Sequence, residues 1–278
     1  MPELCILHAN CQGDALRPLL ENTPAFANHF SIAQYTNYIR QPVPEEEITH
    51  CRLFLYQYLD SKWGTSSSDH LLKLLPDGCQ AIQIPNLFFK GYWPCWTNDT
   101  KEIDFADAVL ETLLARGLND IEILHVYESG ALLGNVASTA EQSLRHEEKK
   151  EAGCPIQCAH ILREFWQQEQ LFLTVNHPAP RLIFHVADSL LHLLDLGHVP
   201  KAIQKAYVHP DGNFWLPLHP ALHNLLGLPF ASKERKYRIF DKLLTHKEYT
   251  CCYLACRRHN VRNLAALLHG LSKGVSLV

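Results

Sequence analysis

The first eighty residues alternate short apolar runs with amphipathic stretches. Glu3 to His8 is a β-rich run that stops at Ala9-Asn10-Cys11-Gln12-Gly13, and Asp14 to Leu20 then has the pattern of a helix. His29 to Tyr35 predicts a second strand, and Cys51 to Tyr58 is an almost unbroken apolar run suited to a strand covered on both faces. Ser68-Asp69 caps a helix to Leu75, stopped by Pro76-Asp77-Gly78. The run from Cys79 is broken by Pro85, which predicts a strand ending at Ile84 and an irregular aromatic loop from Lys90 to Pro94.

The middle of the chain is helical. Asp104 to Arg116 is periodic with Gly117 as its stop, Ala137 to Ala152 predicts an exposed helix rich in Glu and Lys, and a third helix lies around Ile156 to Gln168. Leu171 to Val175 predicts a last strand running into Asn176-His177-Pro178, and Pro180 opens a strongly periodic helix to Leu196. Strands alternating with helices specify an α/β fold, a parallel sheet flanked by helices in a three-layer, flavodoxin-like core. The expected organisation is a core over residues 1–200 with a helical insertion at about 104–168, followed by a C-terminal helical region over 201–278.

Composition narrows the function classes. The 25 Lys and Arg against 29 Asp and Glu give a net charge of −4 without a basic run, which excludes the footprint of a nucleic-acid binder. No export signal precedes the first strand, and no stretch approaches the roughly 20 apolar residues of a membrane span, so a cytoplasmic setting is expected. Ten scattered cysteines form no paired C-x2-C knuckle, and in a reducing compartment they are thiols. The pairs His219/His223 and Cys154/Cys158 have the spacing of two ligands on one helix face, but they lack H-E-x-x-H or a matching second pair, and no metal is expected.

Ligands of parallel sheets bind beyond the carboxyl ends of the strands, where two polar junctions are predicted. Cys11 lies between a strand and a helix start, where backbone N–H groups and the helix dipole favour a thiolate nucleophile; the alternative is an inert packing cysteine. His177, between a strand and a proline-initiated helix, is the candidate base. Asn10, Gln12, Gln57 and Asn176 are candidate oxyanion or substrate-positioning residues, or simply turn formers.

Asn10-Cys11-Gln12, the segment Ile84-Pro85-Asn86-Leu87-Phe88-Phe89-Lys90-Gly91-Tyr92-Trp93-Pro94, and Thr174-Val175-Asn176-His177-Pro178 together resemble the WcbI family of polysaccharide-biosynthesis proteins. The layout also looks like the SGNH hydrolases and acyltransferases, with Cys11 in the nucleophile's place and His177-Pro178 in the base's; Thr174 stands where their orienting Asp would be. The family resemblance implies capsule-assembly acetyltransferase activity with acetyl-coenzyme A as co-substrate and a sugar as acceptor. Gly13, Lys90, Gly91, Tyr92 and Trp93 are the expected coenzyme A contacts, Lys90 for a phosphate and the rings for stacking. A thiol-dependent esterase and a non-catalytic coenzyme A- or glycan-binding protein are the alternatives.

Overall fold

The computed structural model describes residues 2–100, 103, 105–262 and 268. In chain order the elements are β1 (Glu3–Ala9), α1 (Gln12–Asn22), α2 (Pro24–Ala27), β2 (Phe30–Thr36), α3 (Glu45–His50), β3 (Leu53–Gln57), a 3-10 segment (Ser61–Ser66), α4 (Ser68–Leu72) and β4 (Gln80–Ile84). Then come α5 (Ala108–Ala115), α6 (Asp120–Glu128), α7 (Val136–Glu151), α8 (Ala159–Phe165), β5 (Phe172–Thr174), β6 (His177–Pro178), α9 (Pro180–Leu193), α10 (Lys201–Ala206), α11 (Leu222–Leu226), β7 (Lys236–Ile239), β8 (Lys242–Thr245) and α12 (His246–Arg258). The helix expected from Asp104 begins at Ala108; Asp104 lies outside the described residues, as do Met1 and residues 263–267 and 269–278 of the expected C-terminal helical region.

The chain divides into two compact units that interleave along the sequence. The first takes residues up to Phe88, then Glu147–Arg163 and His177–Pro210; the second takes Phe89–His146, Glu164–Asn176 and the chain from Asp211.

The first unit is a four-stranded parallel sheet in the order β2-β1-β3-β4, the strand order of the flavodoxin type. Its central strands carry apolar side chains on both faces: Cys5, Ile6, Leu7 and Ala9 of β1 and Leu53, Phe54 and Leu55 of β3 are all buried. On one face Ile6, Tyr35 and Phe54 pack with Ile48 of α3 and Leu71 of α4. On the other, α1 comes so close to β1 that a Cβ on Gly13 would sit 3.1 Å from the Ala9 Cβ, and α1 also packs along α9. Both helices bury an apolar stripe, Leu16, Leu19 and Leu20 in α1 and Leu182, Val186, Leu190 and Leu191 in α9.

The second unit has an aromatic core. Phe89 meets Tyr92 and Trp166 edge-on at 4.9 and 5.7 Å, and the Phe172 ring at a tilt at 5.8 Å. The paired helices α5 and α6 pack with α12, and β7 and β8 form an antiparallel hairpin. No helix among the described residues is long and apolar enough to cross a membrane.

Three expectations change. The strand at Leu171–Val175 exists as β5 but lies outside the parallel sheet, so His177 does not follow a strand of that sheet; an apolar run specifies a strand, not the sheet it joins. The helix at 137–152 is not simply exposed: Val136, Ala140, Leu144, Glu147 and Glu151, spaced three to four residues apart, are buried. The paired candidates for metal do not share a helix, because His219 precedes α11 and Cys154 and Cys158 lie between α7 and α8.

Candidate functional site

The turn after β1 is held by side-chain amides. Asn10 caps the helix start, its Oδ1 accepting the Gln12 N–H at 2.9 Å while its carbonyl accepts the Gly13 N–H at 2.8 Å. Cys11 itself makes no side-chain cap, so the residue at the helix start is a half-buried thiol whose usual capping duty is carried by its neighbour. The Asp14 N–H donates to the Cys11 carbonyl at 3.1 Å as the first helical turn closes.

Gln57, fully buried at the end of β3, accepts the Asn10 N–H on its Oε1 at 2.8 Å. Its Nε2 donates to the Pro85 carbonyl at 3.1 Å and to Gln12 Oε1 at 3.2 Å. Gln12 in turn bonds both main-chain groups of Leu87, donating to the carbonyl at 2.7 Å and accepting the N–H at 3.0 Å. Asn10 Nδ2 donates to Asn86 Oδ1 at 3.1 Å. The carboxyl ends of β1, β3 and β4 are thus tied into one hydrogen-bonded frame around Cys11. Buried amides with satisfied partners rigidify the backbone they hold.

Asn10, Gln12 and Gln57 are therefore brought together, and Asn86 joins them. Asn86 carried the same signal as the others, a polar residue just past the end of an apolar strand. Gly13 serves the close approach of α1 to the sheet.

A carboxylate missed in the sequence supports this frame. Glu147 accepts the Phe88 N–H at 3.1 Å and is paired with Lys150 at 2.6 Å. Burial pushes its carboxyl up to about 7, against the opposing pull of Lys150 and the Phe88 N–H. One helical turn on, Glu151 accepts the Cys158 and Ala159 N–H groups at 2.8 Å, capping α8, and burial raises it as well.

On the opposite face of β1, His8 is wholly buried beside Phe54, its ring stacked at 6.4 Å, and neither ring nitrogen has a hydrogen-bond partner among the described residues. Burial alone lowers it to about 4, so it is a neutral imidazole at pH 7.

His177 is half-buried in β6, directly before Pro178. The Pro178 carbonyl is bonded to His209 Nε2 at 3.0 Å. His177 belongs to the same unit as Cys11, and α9 starts just beyond it and packs along α1, which starts just beyond Cys11. Thr174 donates its hydroxyl to Asn176 Oδ1 at 3.1 Å; no carboxylate occupies this position.

Lys90, Gly91, Tyr92, Trp93 and Asn176 belong to the second unit. Tyr92 is fully buried, its hydroxyl donating toward the Trp166 and Glu169 carbonyls at 2.6 and 2.8 Å, and Trp93 donates to the Leu216 and Pro217 carbonyls. These two rings are core. Gly91 is required there, since a Cβ would fall 2.3 Å from the Phe89 ring. Lys90 remains half-buried, with its ammonium 5.9 Å from the Trp96 ring centre and its N–H on Ser143 Oγ.

Burial works against the thiolate in the other nine cysteines. Burial is the largest influence on every one of them and raises each thiol, Cys51 and Cys95 to about 12. His219 is fixed as a neutral tautomer: its Nδ1 accepts the Ala221 N–H at 3.1 Å, so Nε2 carries the proton bonded to the Tyr127 carbonyl at 2.9 Å. It also lines a cavity of about 50 Å³ in the second unit with Asp107, Tyr127 and His246. Among the described residues no cluster of three His, Cys, Asp or Glu side chains could hold a metal.

A sequence profile described as polysaccharide biosynthesis enzyme WcbI matches residues 4–198. Among solved structures, the chain is similar to one of WcbI, described as a novel polysaccharide biosynthesis enzyme, in its native form without a disulfide bond between coenzyme A and a cysteine of that protein. The TM-score is 0.71 at 19% identity, covering 90% of this chain and 87% of that one. No curated protein sequence matches significantly.

Proposed function

The chain belongs to the WcbI family of polysaccharide biosynthesis enzymes, and from that premise we propose that it transfers an acetyl group from acetyl-coenzyme A to a sugar hydroxyl. The observation that carries the reading is the turn at Cys11, a half-buried thiol at a helix start whose backbone is fixed by four side-chain amides at the carboxyl edge of a parallel sheet. The WcbI structure named above is described in terms of coenzyme A and a cysteine; Cys11 is the residue we assign to that role here.

In the covalent form of the mechanism His177 takes the Cys11 thiol proton, the sulfur attacks the thioester carbonyl, coenzyme A leaves as its thiolate and receives that proton from His177, and an acetyl-cysteine remains. His177 then removes the proton from the sugar hydroxyl, whose oxygen attacks the acetyl carbon and releases Cys11. In the direct form Cys11 only positions the donor, and the same deprotonation by His177 drives attack on the bound thioester, whose C–S bond breaks to release coenzyme A as a thiolate that takes the proton back from His177.

The side chains of Gln12 and Gln57 are spent on the frame, so we assign them to holding the turn, together with Asn10. Gly13 admits the helix, and Asn176 positions substrate. We assign Lys90 to a coenzyme A phosphate, with Gly91, Tyr92 and Trp93 shaping the loop that presents it. A chain whose ten cysteines are all thiols suits the cytoplasm.

The test is incubation with acetyl-coenzyme A and candidate glycans. Acetylated glycan is expected; free acetate alone would make the protein an esterase. Cys11→Ala is expected to abolish transfer while coenzyme A still binds, and His177→Ala to slow it by about a hundredfold to ten-thousandfold. A Cys11→Ala protein that keeps most of its activity would select the direct form.

A further inference from the structure

The segment after α9 has no part in the chemistry above and lies beyond the stretch matched by the family profile, yet it reaches both halves of the proposed site within the first unit. Tyr207 follows α10. Its hydroxyl donates to the Ala15 carbonyl in α1 at 2.9 Å, and its ring meets Phe184 of α9 edge-on at 5.3 Å. Two residues on, buried His209 meets the Tyr207 ring edge-on at 5.9 Å and bonds the Pro178 carbonyl at 3.0 Å. A carbonyl only accepts, so His209 Nε2 carries the proton in this bond.

We propose that Tyr207 and His209 are positioning residues that lock α1 and β6 into one frame and so set the approach of His177 to Cys11. The inference rests on the Cys11–His177 reading above. His177 has little backbone freedom: a residue before proline is restricted to extended conformations, the Pro178 ring fixes its own φ, and His209 holds the next carbonyl. Tyr207 ties the same assembly to α1, whose first residue directly follows Cys11. Neither residue moves a proton in the reaction. They act by geometry, and a misplacement of about 1 Å between reacting groups can cost a hundredfold.

The test is the pH profile of Cys11 alkylation by iodoacetamide, followed on the Cys11 peptide by mass spectrometry. It needs no acceptor sugar and is insensitive to a merely lowered melting temperature. A histidine partner stabilises the thiolate, so His177→Ala is expected to move the profile to higher pH and slow alkylation at pH 7 by about tenfold. His209→Ala is expected to move it the same way by roughly threefold or more, and His209→Gln, whose amide N–H can reach the same carbonyl, to restore it. Tyr207→Phe removes one hydrogen bond from a half-buried side chain while keeping the ring, so it serves if His209→Ala does not fold; a smaller shift in the same direction is expected. A profile moved by His177→Ala but untouched by His209→Ala and Tyr207→Phe overturns this proposal and leaves the mechanism standing. A profile that ignores His177→Ala overturns the pairing of His177 with Cys11, and with it both this proposal and the covalent form of the mechanism, and leaves direct transfer.

Discussion

Gln12 holds Leu87 by both of its main-chain groups, one side-chain amide closing a pair of hydrogen bonds across 75 residues of sequence. The same Oε1 also accepts from Gln57, so one side chain satisfies three buried polar groups.

Replacing Gln12 should therefore cost more than an ordinary amide does. In Gln12→Ala the Leu87 N–H and carbonyl and the Gln57 amide lose a partner together, and in Gln12→Glu a buried carboxylate faces the Leu87 carbonyl. Each variant is expected to lose about 1–3 kcal/mol or more of stability, read as a lower midpoint in urea unfolding. An unchanged midpoint would mean that water replaces the amide without cost.

Acid should destabilise the fold through two histidines. His8, and His219 with burial first and the nearby His246 second, are held at about 4 against an ordinary 6.5. Because the folded values lie below the unfolded one, the unfolded chain takes up these protons first. Stability is whole above about pH 6.5 and falls as pH drops toward 4, by roughly 1.4 kcal/mol per pH unit for each histidine. Urea unfolding between pH 7 and 4.5 measures the slope. His8→Leu should reduce it by about one proton's worth, and a slope identical to the parent's would remove His8 from the account.

Glu147 has the opposite sign. Its folded value is raised from 4.5 to about 7, mainly by burial, so its contribution is full below about pH 4.5 and is lost as pH rises through 7. Glu147→Gln keeps an acceptor for the Phe88 N–H but cannot ionise. Relative to the parent it is expected to gain stability between pH 5 and pH 8; a constant difference across that range would show that the carboxyl does not titrate there.

Much of the first unit was legible in the sequence. The runs at Glu3–His8 and Cys51–Tyr58 are short and largely apolar at consecutive positions, as suits a strand covered on both faces, and the period of Pro180–Leu196 specifies one buried helix face. The polar residues at 10, 12 and 57 stood out because they end such runs. Their partners did not: nothing local in Leu87 announces that it meets Gln12. Glu147 was hidden because a glutamate in a polar helix looks solvated until the helix is seen to bury that side. The β7–β8 hairpin was missed because its turn places Phe240, not glycine, at a φ of 58°. The interleaving of the units leaves no compositional trace where the chain passes from one to the other.

That α1 packs along α9 has a bearing on how the chain is made. A ribosome delivers β1, α1 and the rest of the parallel sheet by Ile84, but α9 starts only at Pro180. For the time needed to synthesise nearly a hundred further residues, roughly 5 to 20 seconds at ordinary elongation rates, α1 lacks the partner helix that packs along it in the finished protein. Nascent chains stalled before residue 180 should present this sticky flank to chaperones, and release from them should coincide with the emergence of α9.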